Sequence, residues 1–250
     1  MPALKLIMLA LVILLSIGST TTRSSEQEAD IIADMNDSLG VADVVFARNL
    51  MEFSGDRNSG GASSSLISID DKIYVLTAKH LLTDAMGIVP TVRPSNFNAE
   101  LEDWIVMDNV SMFSGDLFYF AGQVTGMHRP NDDMEMDVMV LATDIDAKEV
   151  ADNILPVSKD DVSEGDSVYV VGCPYSLEDK CLQIIYAGEV TDVSNEEIYF
   201  SWKKEPDQLS GFSGAAVLNG DGAIVAVLFG GTTDRGIATL LPHWLKEQGE

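Results

Sequence analysis

The sequence predicts an all-β protein, either a sandwich or a pair of barrels. Two observations carry that prediction. Short runs rich in Val, Ile, Tyr and Phe recur along the chain, separated by Gly, Asp and Asn clusters. Sustained helical periodicity is almost absent. A third observation bounds the size. At 250 residues and 46% hydrophobic, the chain has ample core for one large domain or two small ones, which argues against wholesale disorder.

In chain order, strands are predicted at Asp43–Arg48, Ser65–Ile69, Ile73–Thr77, Leu117–Ala121 and Val138–Ala142. They continue at Ser167–Gly172, Gln183–Ala187, Glu197–Trp202, Ala215–Leu218 and Ala223–Phe229. Turn-forming stretches such as SGDRNSGG (54–61) lie between them. Asn219-Gly220-Asp221-Gly222, between two apolar runs, reads as a tight hairpin. The best helical segment is Leu241–Gln248, where Pro242 suits a first turn. Many short strands at this spacing are what a sandwich or barrel pair requires.

Residues 1–24 differ in character from the rest of the chain. Lys5 supplies a short positive region, Leu6–Ile17 is apolar but for Ser16, and Gly18, Ser19 and Thr20 are small. This is the pattern of a cleaved secretory signal peptide, cut after Gly18 or a few residues later. The apolar run is short for a bilayer span, and the chain has no second one. The mature chain is therefore expected to be secreted or periplasmic, without a transmembrane domain. Residues 25–42 read as an acidic lead-in, mobile or briefly helical.

Charge narrows the partners. Fifteen Lys and Arg stand against 40 Asp and Glu, a formal net charge of −25. Phosphate backbones need clustered cations, so a nucleic-acid binder is excluded as a class, and anionic lipid is disfavoured. So acidic a surface repels itself, and screening should relieve the repulsion. Added salt is expected to raise the melting temperature; a flat or falling response would refute this. Two cysteines exclude a disulfide-rich scaffold and a four-cysteine zinc site, and three histidines leave little scope for a polyhistidine centre. No metal or cofactor is expected.

Three local environments suggest chemistry. In Ile73-Tyr74-Val75-Leu76-Thr77-Ala78-Lys79-His80 a histidine comes just after an apolar strand, where it is held rigidly and can face a cleft. Asp137 directly precedes the apolar run Val138–Leu141, and a carboxylate drawn into low dielectric there needs a partner such as an imidazolium. The alternative is one more solvated acid in the run Asp132, Asp133, Glu135, Asp137, which lacks the glycine turn of a calcium loop. In Gly211-Phe212-Ser213-Gly214-Ala215-Ala216-Val217 a serine sits in a Gly-flanked turn that can aim successive N–H groups at one spot. A serine hydroxyl needs an adjacent base, a histidine supplies it, and an aspartate fixes the tautomer. The order His, Asp, Ser is that of chymotrypsin and differs from subtilisin and the α/β-hydrolases.

From about Ser63 to Gly231 the chain resembles the trypsin-like serine peptidases. Its motif style is closest to the bacterial Deg/HtrA-type peptidase domains, without their PDZ domain. The carrying segments are Ser64–Ile69 leading to YVLTAKH, then DVMVLATD, Ile154-Leu155-Pro156-Val157, Glu164–Pro174, GFSGAAV and NGDGAIVAVLFGG. The resemblance implies two antiparallel six-stranded β-barrels with the site between them. The first would span 43–146 with His80 and Asp137, and the second 147–250 with Ser213 and a short C-terminal helix. It implies Ser213 as nucleophile, His80 as general base and acid, Asp137 as the orienting carboxylate, and the N–H groups of Gly211 and Ser213 as the oxyanion hole. The substrate would be a polypeptide. With no room for a PDZ domain after Gly231, the enzyme would act as a single catalytic unit.

Some positions depart from the family. Ala215-Ala216 stands where Gly-Pro is common. Phe212 stands where the digestive enzymes carry the aspartate of zymogen activation, and no Ile-Val-Gly-Gly start is visible, so that activation route is not expected. Asp207, six residues before Ser213, has the spacing of a carboxylate at the base of the primary pocket, with Gly230 and Gly231 leaving its wall open. That would favour Arg or Lys; otherwise Asp207 is a solvated loop acid. Cys173 and Cys181 flank a short Pro-containing loop and are expected to pair in an exported protein, a link worth about 2–3 kcal/mol for so small a loop. The expected function is a secreted or periplasmic serine endopeptidase. The alternatives are an inactive binding protein on the same fold, with an oxyanion loop degenerate around Phe212 and Ala215, and an acid-rich calcium-dependent surface protein.

Overall fold

The computed structural model describes residues 35–41, 45–108, 121–174 and 183–247. The signal-peptide reading (1–24), the start of the lead-in, most of the predicted strand Leu117–Ala121, and Cys181 lie outside them.

Six strands close the first barrel: β1 (Phe46–Phe53), β2 (Arg57–Ile69), β3 (Lys72–Thr77), β4 (Leu101–Met107), β5 (Ala121–His128) and β6 (Met139–Thr143). Six more close the second: β7 (Ser167–Gly172), β8 (Ile184–Val193), β9 (Glu197–Trp202), β10 (Ala216–Leu218), β11 (Ile224–Gly231) and β12 (Arg235–Leu240). All neighbours are antiparallel. The order around the first barrel is β1-β2-β3-β6-β5-β4. The second, read from β7, is β7-β8-β9-β12-β11-β10, the same connectivity. Of the two all-β architectures the composition allows, the chain adopts the barrel pair.

β5 runs over Ala121–His128, where the sequence reading ended a strand at Ala121, because its glycines and polar residues mask the pairing, and three further elements differ for identifiable reasons. β1 continues past Arg48 because its polar residues are satisfied inside: Asn49 Oδ1 accepts from Trp104 Nε1 at 3.1 Å, and Arg48 donates to the Cys173 carbonyl at 3.4 Å. β4 is absent from the predicted strands. Its acidic start hides an alternation that buries Trp104 and Val106, with Trp104 joining Phe53 and Phe97 in one aromatic cluster. β12 is absent from them too. Gly236 interrupts its pattern, but the Phe200 ring lies where a side chain would stand, so the glycine marks a close approach rather than a strand end.

The Asn219–Gly222 hairpin forms as predicted between β10 and β11. Asn219 Oδ1 accepts from the N–H groups of Asp221 and Ala223, both at 3.0 Å. Gly222 adopts φ +77°, and a Cβ there would overlap the carbonyl of Leu39. That carbonyl belongs to the end of the acidic lead-in, which is not loose over residues 35–41. Asn36 and Leu39 are buried, and Gln183 bridges the segment, donating to Asn36 Oδ1 at 3.0 Å and accepting from the Val45 N–H at 2.8 Å.

The C-terminal helix is shorter than predicted, α2 at His243–Lys246, coming after the four-residue α1 at Phe97–Glu100. Trp244 reaches back to the first barrel, 5.4 Å from the His128 ring and with the Arg129 guanidinium 4.4 Å above it. Burial, and then Arg129, hold the His128 imidazole below the usual histidine range. The unfolded chain therefore takes up this proton first. The stability due to neutral His128 is complete above the unfolded histidine value and is lost as pH falls through it towards the lower folded value. We expect the melting temperature to decline between about pH 7.5 and 5.5, with a smaller decline in His128→Phe. Equal slopes would refute the assignment.

Candidate active site

Strand register brings the first two predicted residues together. β3 and β6 pair Thr77 with Met139, so Asp137 lies two residues beyond the last pair, beside the turn at the end of β3. That turn, Lys79–Leu82, is anchored by the fully buried Leu81 and Leu82. It leaves the His80 ring at the surface of the barrel, 20% exposed. The Asp137 carboxylate grips His80 twice: Oδ1 accepts from the backbone N–H and Oδ2 faces Nδ1, each at 2.6 Å. An ionised carboxylate only accepts, so Nδ1 carries the proton and Nε2 is left as the basic nitrogen. Thr83 fixes the other side of the turn by donating its hydroxyl to the His80 carbonyl at 2.7 Å.

The acidic run around Asp137 is organised rather than simply solvated. Asp132 accepts from both the N–H and the hydroxyl of Ser95 at 2.8 Å, which holds its carboxyl below the usual range. Lys79 donates to the Asp133 carbonyl. Burial lowers the Lys79 ammonium pKa, while Asp133, Asp137 and Asp132 pull it back up. The loop delivering Asp137 is thus tied at Asp132 and Asp133 as well as at Asp137 itself.

Ser213 comes from the second barrel, on the turn before β10. Most backbone groups of this turn are hydrogen-bonded. Phe212 N–H donates to Leu209 O (3.0 Å), Gly214 N–H to Leu228 O (2.8 Å) and Ala215 N–H to Phe212 O (2.8 Å). Ser213 O accepts from Ser63 N–H (2.7 Å), and Gly211 O accepts from the Ser63 hydroxyl (2.8 Å). Among the described residues, the N–H groups of Gly211 and Ser213 have no acceptor. Gly211 adopts φ +97°, open only to glycine at little strain.

The turn lies against the strand that delivers His80. A Cβ on Gly214 would overlap Ser63 O and Thr77 Oγ1 and come within 3.2 Å of Ala78 N. Ser213 therefore sits at the end of β3, with its side chain half-buried. No hydrogen bond reaches its hydroxyl among the described residues. Phe212 is fully buried, its ring 5.3 Å from that of Tyr186 and packed over Gly172.

The expected pocket residues are less tightly bound. Asp207 is exposed, and among the described residues nothing pairs with it. Gly230 is half-buried and Gly231 exposed, with Leu209 Cδ1 3.4 Å from where a Gly231 side chain would begin. Cys173 is fully buried, and there is no free cysteine among the described residues. Sequence reasoning missed Ser63, Thr77 and Lys79. The available signal was a run of three serines, Ser63–Ser65, in a strand otherwise reading as core, since buried hydroxyls require acceptors.

A family model of the trypsin-like peptidase domain matches residues 62–227. The chain belongs to the trypsin-like peptidase family. In family and fold it is a serine endopeptidase. No curated protein matches the peptidase in sequence. Solved structures share its fold at low identity. Glu endopeptidase in complex with MPD is 19% identical, aligning over 83% of the peptidase and 89% of that chain, with a TM-score of 0.58. AL20, a thermostable serine protease from an extremophilic microorganism, is 11% identical over 83% and 95%, with a TM-score of 0.60. Protease Anisep from Arthrobacter nicotinovorans is 15% identical over 82% and 94%, with a TM-score of 0.59. No helix among the peptidase's described residues is long and apolar enough to cross a membrane.

Proposed function

We propose that the peptidase cleaves polypeptides through a Ser213-His80-Asp137 triad and an acyl-enzyme. Ser213 Oγ attacks the scissile carbonyl carbon while His80 Nε2 takes the hydroxyl proton. The carbonyl oxygen becomes an oxyanion and accepts from the N–H groups of Gly211 and Ser213. The intermediate collapses, the C–N bond breaks, and His80 returns its proton to the leaving amine. Water, activated by the same imidazole, then releases the acid and restores Ser213.

The observation that carries this reading is a pair of N–H groups, those of Gly211 and Ser213, with no acceptor among the described residues, in a turn where the neighbouring N–H groups of Phe212, Gly214 and Ala215 are all hydrogen-bonded. Such donors are aimed before any charge develops, and each is worth about 2.7–4 kcal/mol to the transition state. The 2.6 Å contact between His80 Nδ1 and Asp137 Oδ2 supports the same reading, since it leaves Nε2 as the nitrogen available to Ser213. An inactive binding protein would rest on a loop distorted by Phe212. Phe212 packs instead into the second core, which favours the enzyme.

Export and a Cys173–Cys181 disulfide belong to the same proposal. Their support is the composition of residues 1–24 and the buried, non-free state of Cys173. A polypeptide substrate with Arg or Lys at P1 is expected if Asp207 reaches the bound side chain.

A fluorophosphonate probe tests the nucleophile. Mass spectrometry is expected to find the adduct on Ser213 of the mature chain and none on His80→Ala. Labelling elsewhere, or none on wild type, would refute the triad. New N-termini generated in an unfolded proteome would report P1, and a scatter without Arg or Lys would remove Asp207 from the pocket.

A further inference from the structure

Ser63 sits on the first barrel yet holds the turn of the second. We propose that it is a positioning residue for the oxyanion hole, fixing by two hydrogen bonds the carbonyls on either side of Phe212. The inference rests on the triad and oxyanion roles proposed above.

A β-bulge sets the direction of Ser63. β1 and β2 pair Arg48 with Ser63 and Asn49 with Gly61, so Ala62 is an extra residue on β2. Ala62 adopts φ +54°, a left-handed conformation that costs a non-glycine residue energy and persists only where its surroundings demand it. A bulge re-aims the residue beside it. Here that residue is Ser63, whose hydroxyl points out of the first barrel and across to the second.

Two peptide planes are fixed as a result. The Gly211–Phe212 plane has its carbonyl on Ser63 Oγ (2.8 Å) and its N–H on Leu209 O (3.0 Å). The Ser213–Gly214 plane has its carbonyl on Ser63 N–H (2.7 Å) and its N–H on Leu228 O (2.8 Å). Between and before them lie the two peptides whose N–H groups, Ser213 and Gly211, have no acceptor. With these planes held, the N–H groups of Gly211 and Ser213 keep their place in the turn, and any larger movement of the turn must break a Ser63 bond. Ser63 is itself held, because its carbonyl accepts from the Thr77 hydroxyl at 2.8 Å, three residues before His80. One residue thus links the oxyanion turn to the strand carrying the base. Its side chain contributes only the Gly211 bond, which can therefore be removed without touching the Ser213 bond.

The test compares wild type with Ser63→Ala and Ser63→Gly, both of which keep the N–H to Ser213 O. The substrate is the peptide cut best by wild type. The probes are its N-terminal half as an aldehyde, which forms a tetrahedral adduct with Ser213, and as the corresponding alcohol, which cannot. In both variants kcat is expected to fall roughly 10- to 100-fold, with KM changed less than about threefold. Aldehyde affinity should fall by a similar factor and alcohol affinity should hold. A merely structural role would weaken both ligands together, and that result would overturn the proposal. Unchanged kcat and aldehyde affinity would overturn it too. Should Ser63→Ala fail to fold, Ser63→Gly gives the same reading. Ser213→Ala separates the two levels: if it cleaves like wild type, the triad reading fails; if it is inactive while the Ser63 variants behave normally, only the role of Ser63 fails.

Discussion

Replacing Ser213 by Ala is expected to lower kcat for peptide hydrolysis by on the order of 10⁵- to 10⁶-fold while the protein stays folded. Both parts follow from the local geometry. No hydrogen bond reaches the serine hydroxyl among the described residues, so its removal strands no buried partner, and the side chain is only half-buried. The melting temperature should therefore hold. Chemically the loss is complete for this route, because under the proposed roles the acyl-enzyme forms on the Ser213 hydroxyl that the variant lacks. Residual turnover of roughly 10³- to 10⁴-fold over water would remain, since binding and the two N–H groups survive. Steady-state kinetics with a fluorogenic peptide, beside a thermal melt, checks both statements. A variant within tenfold of wild type would show that the hydrolytic nucleophile lies elsewhere.

Replacing Gly214 by Ala should have the opposite signature, a protein lost before its chemistry can be measured. The added Cβ would overlap a backbone oxygen, Ser63 O, and Thr77 Oγ1, a hydroxyl already committed to that same oxygen. Neither can swing aside as the end of a long side chain could. The residue also sits at φ +84°, where an L side chain adds strain of its own. Overpacking and backbone strain together should cost about 4 kcal/mol or more, a large part of the stability of an ordinary domain. Urea denaturation measures it. Gly220→Ala is the control: it has open space around it and no positive φ, and should change stability by less than about 0.5 kcal/mol. Similar losses for both variants would show that the turn does not depend on close contact between the barrels.

Much of this architecture could be read from residue patterns, and what could not has physical causes. β7 and β9 form over the predicted residues because each is a short alternating run with turn residues at its ends. His80 and Asp137 could be matched because each stands at the edge of a strongly apolar strand, and edges of neighbouring strands meet. β12 was hidden by Gly236, whose reason for being small, the Phe200 ring, comes from another strand. The start of β2 was hidden for a related reason. Arg57–Gly61 reads as turn chemistry, yet it pairs with β1 as far as the bulge at Ala62. Beyond that bulge the two-residue period changes phase, so alternation could not tell which way Ser63 faces. Links between the barrels join residues more than a hundred positions apart, as Ser63 and Gly211 are, and no local pattern carries them.

The division of the site between two barrels of equal connectivity has a consequence for the making of the protein. His80 and Asp137 are complete once the first barrel closes at Thr143, but that half has neither the Ser213 hydroxyl nor the N–H groups beside it. β10 pairs with β11 on one side and β7 on the other, so the serine turn has no seat until the chain has been made past Gly231. Under the proposed roles, a partly translated or truncated chain has a base without a nucleophile and cannot cut its neighbours or the machinery handling it. Proteolytic competence then arrives late and all at once, and the order of the residues along the chain is itself a safeguard for the cell that makes it.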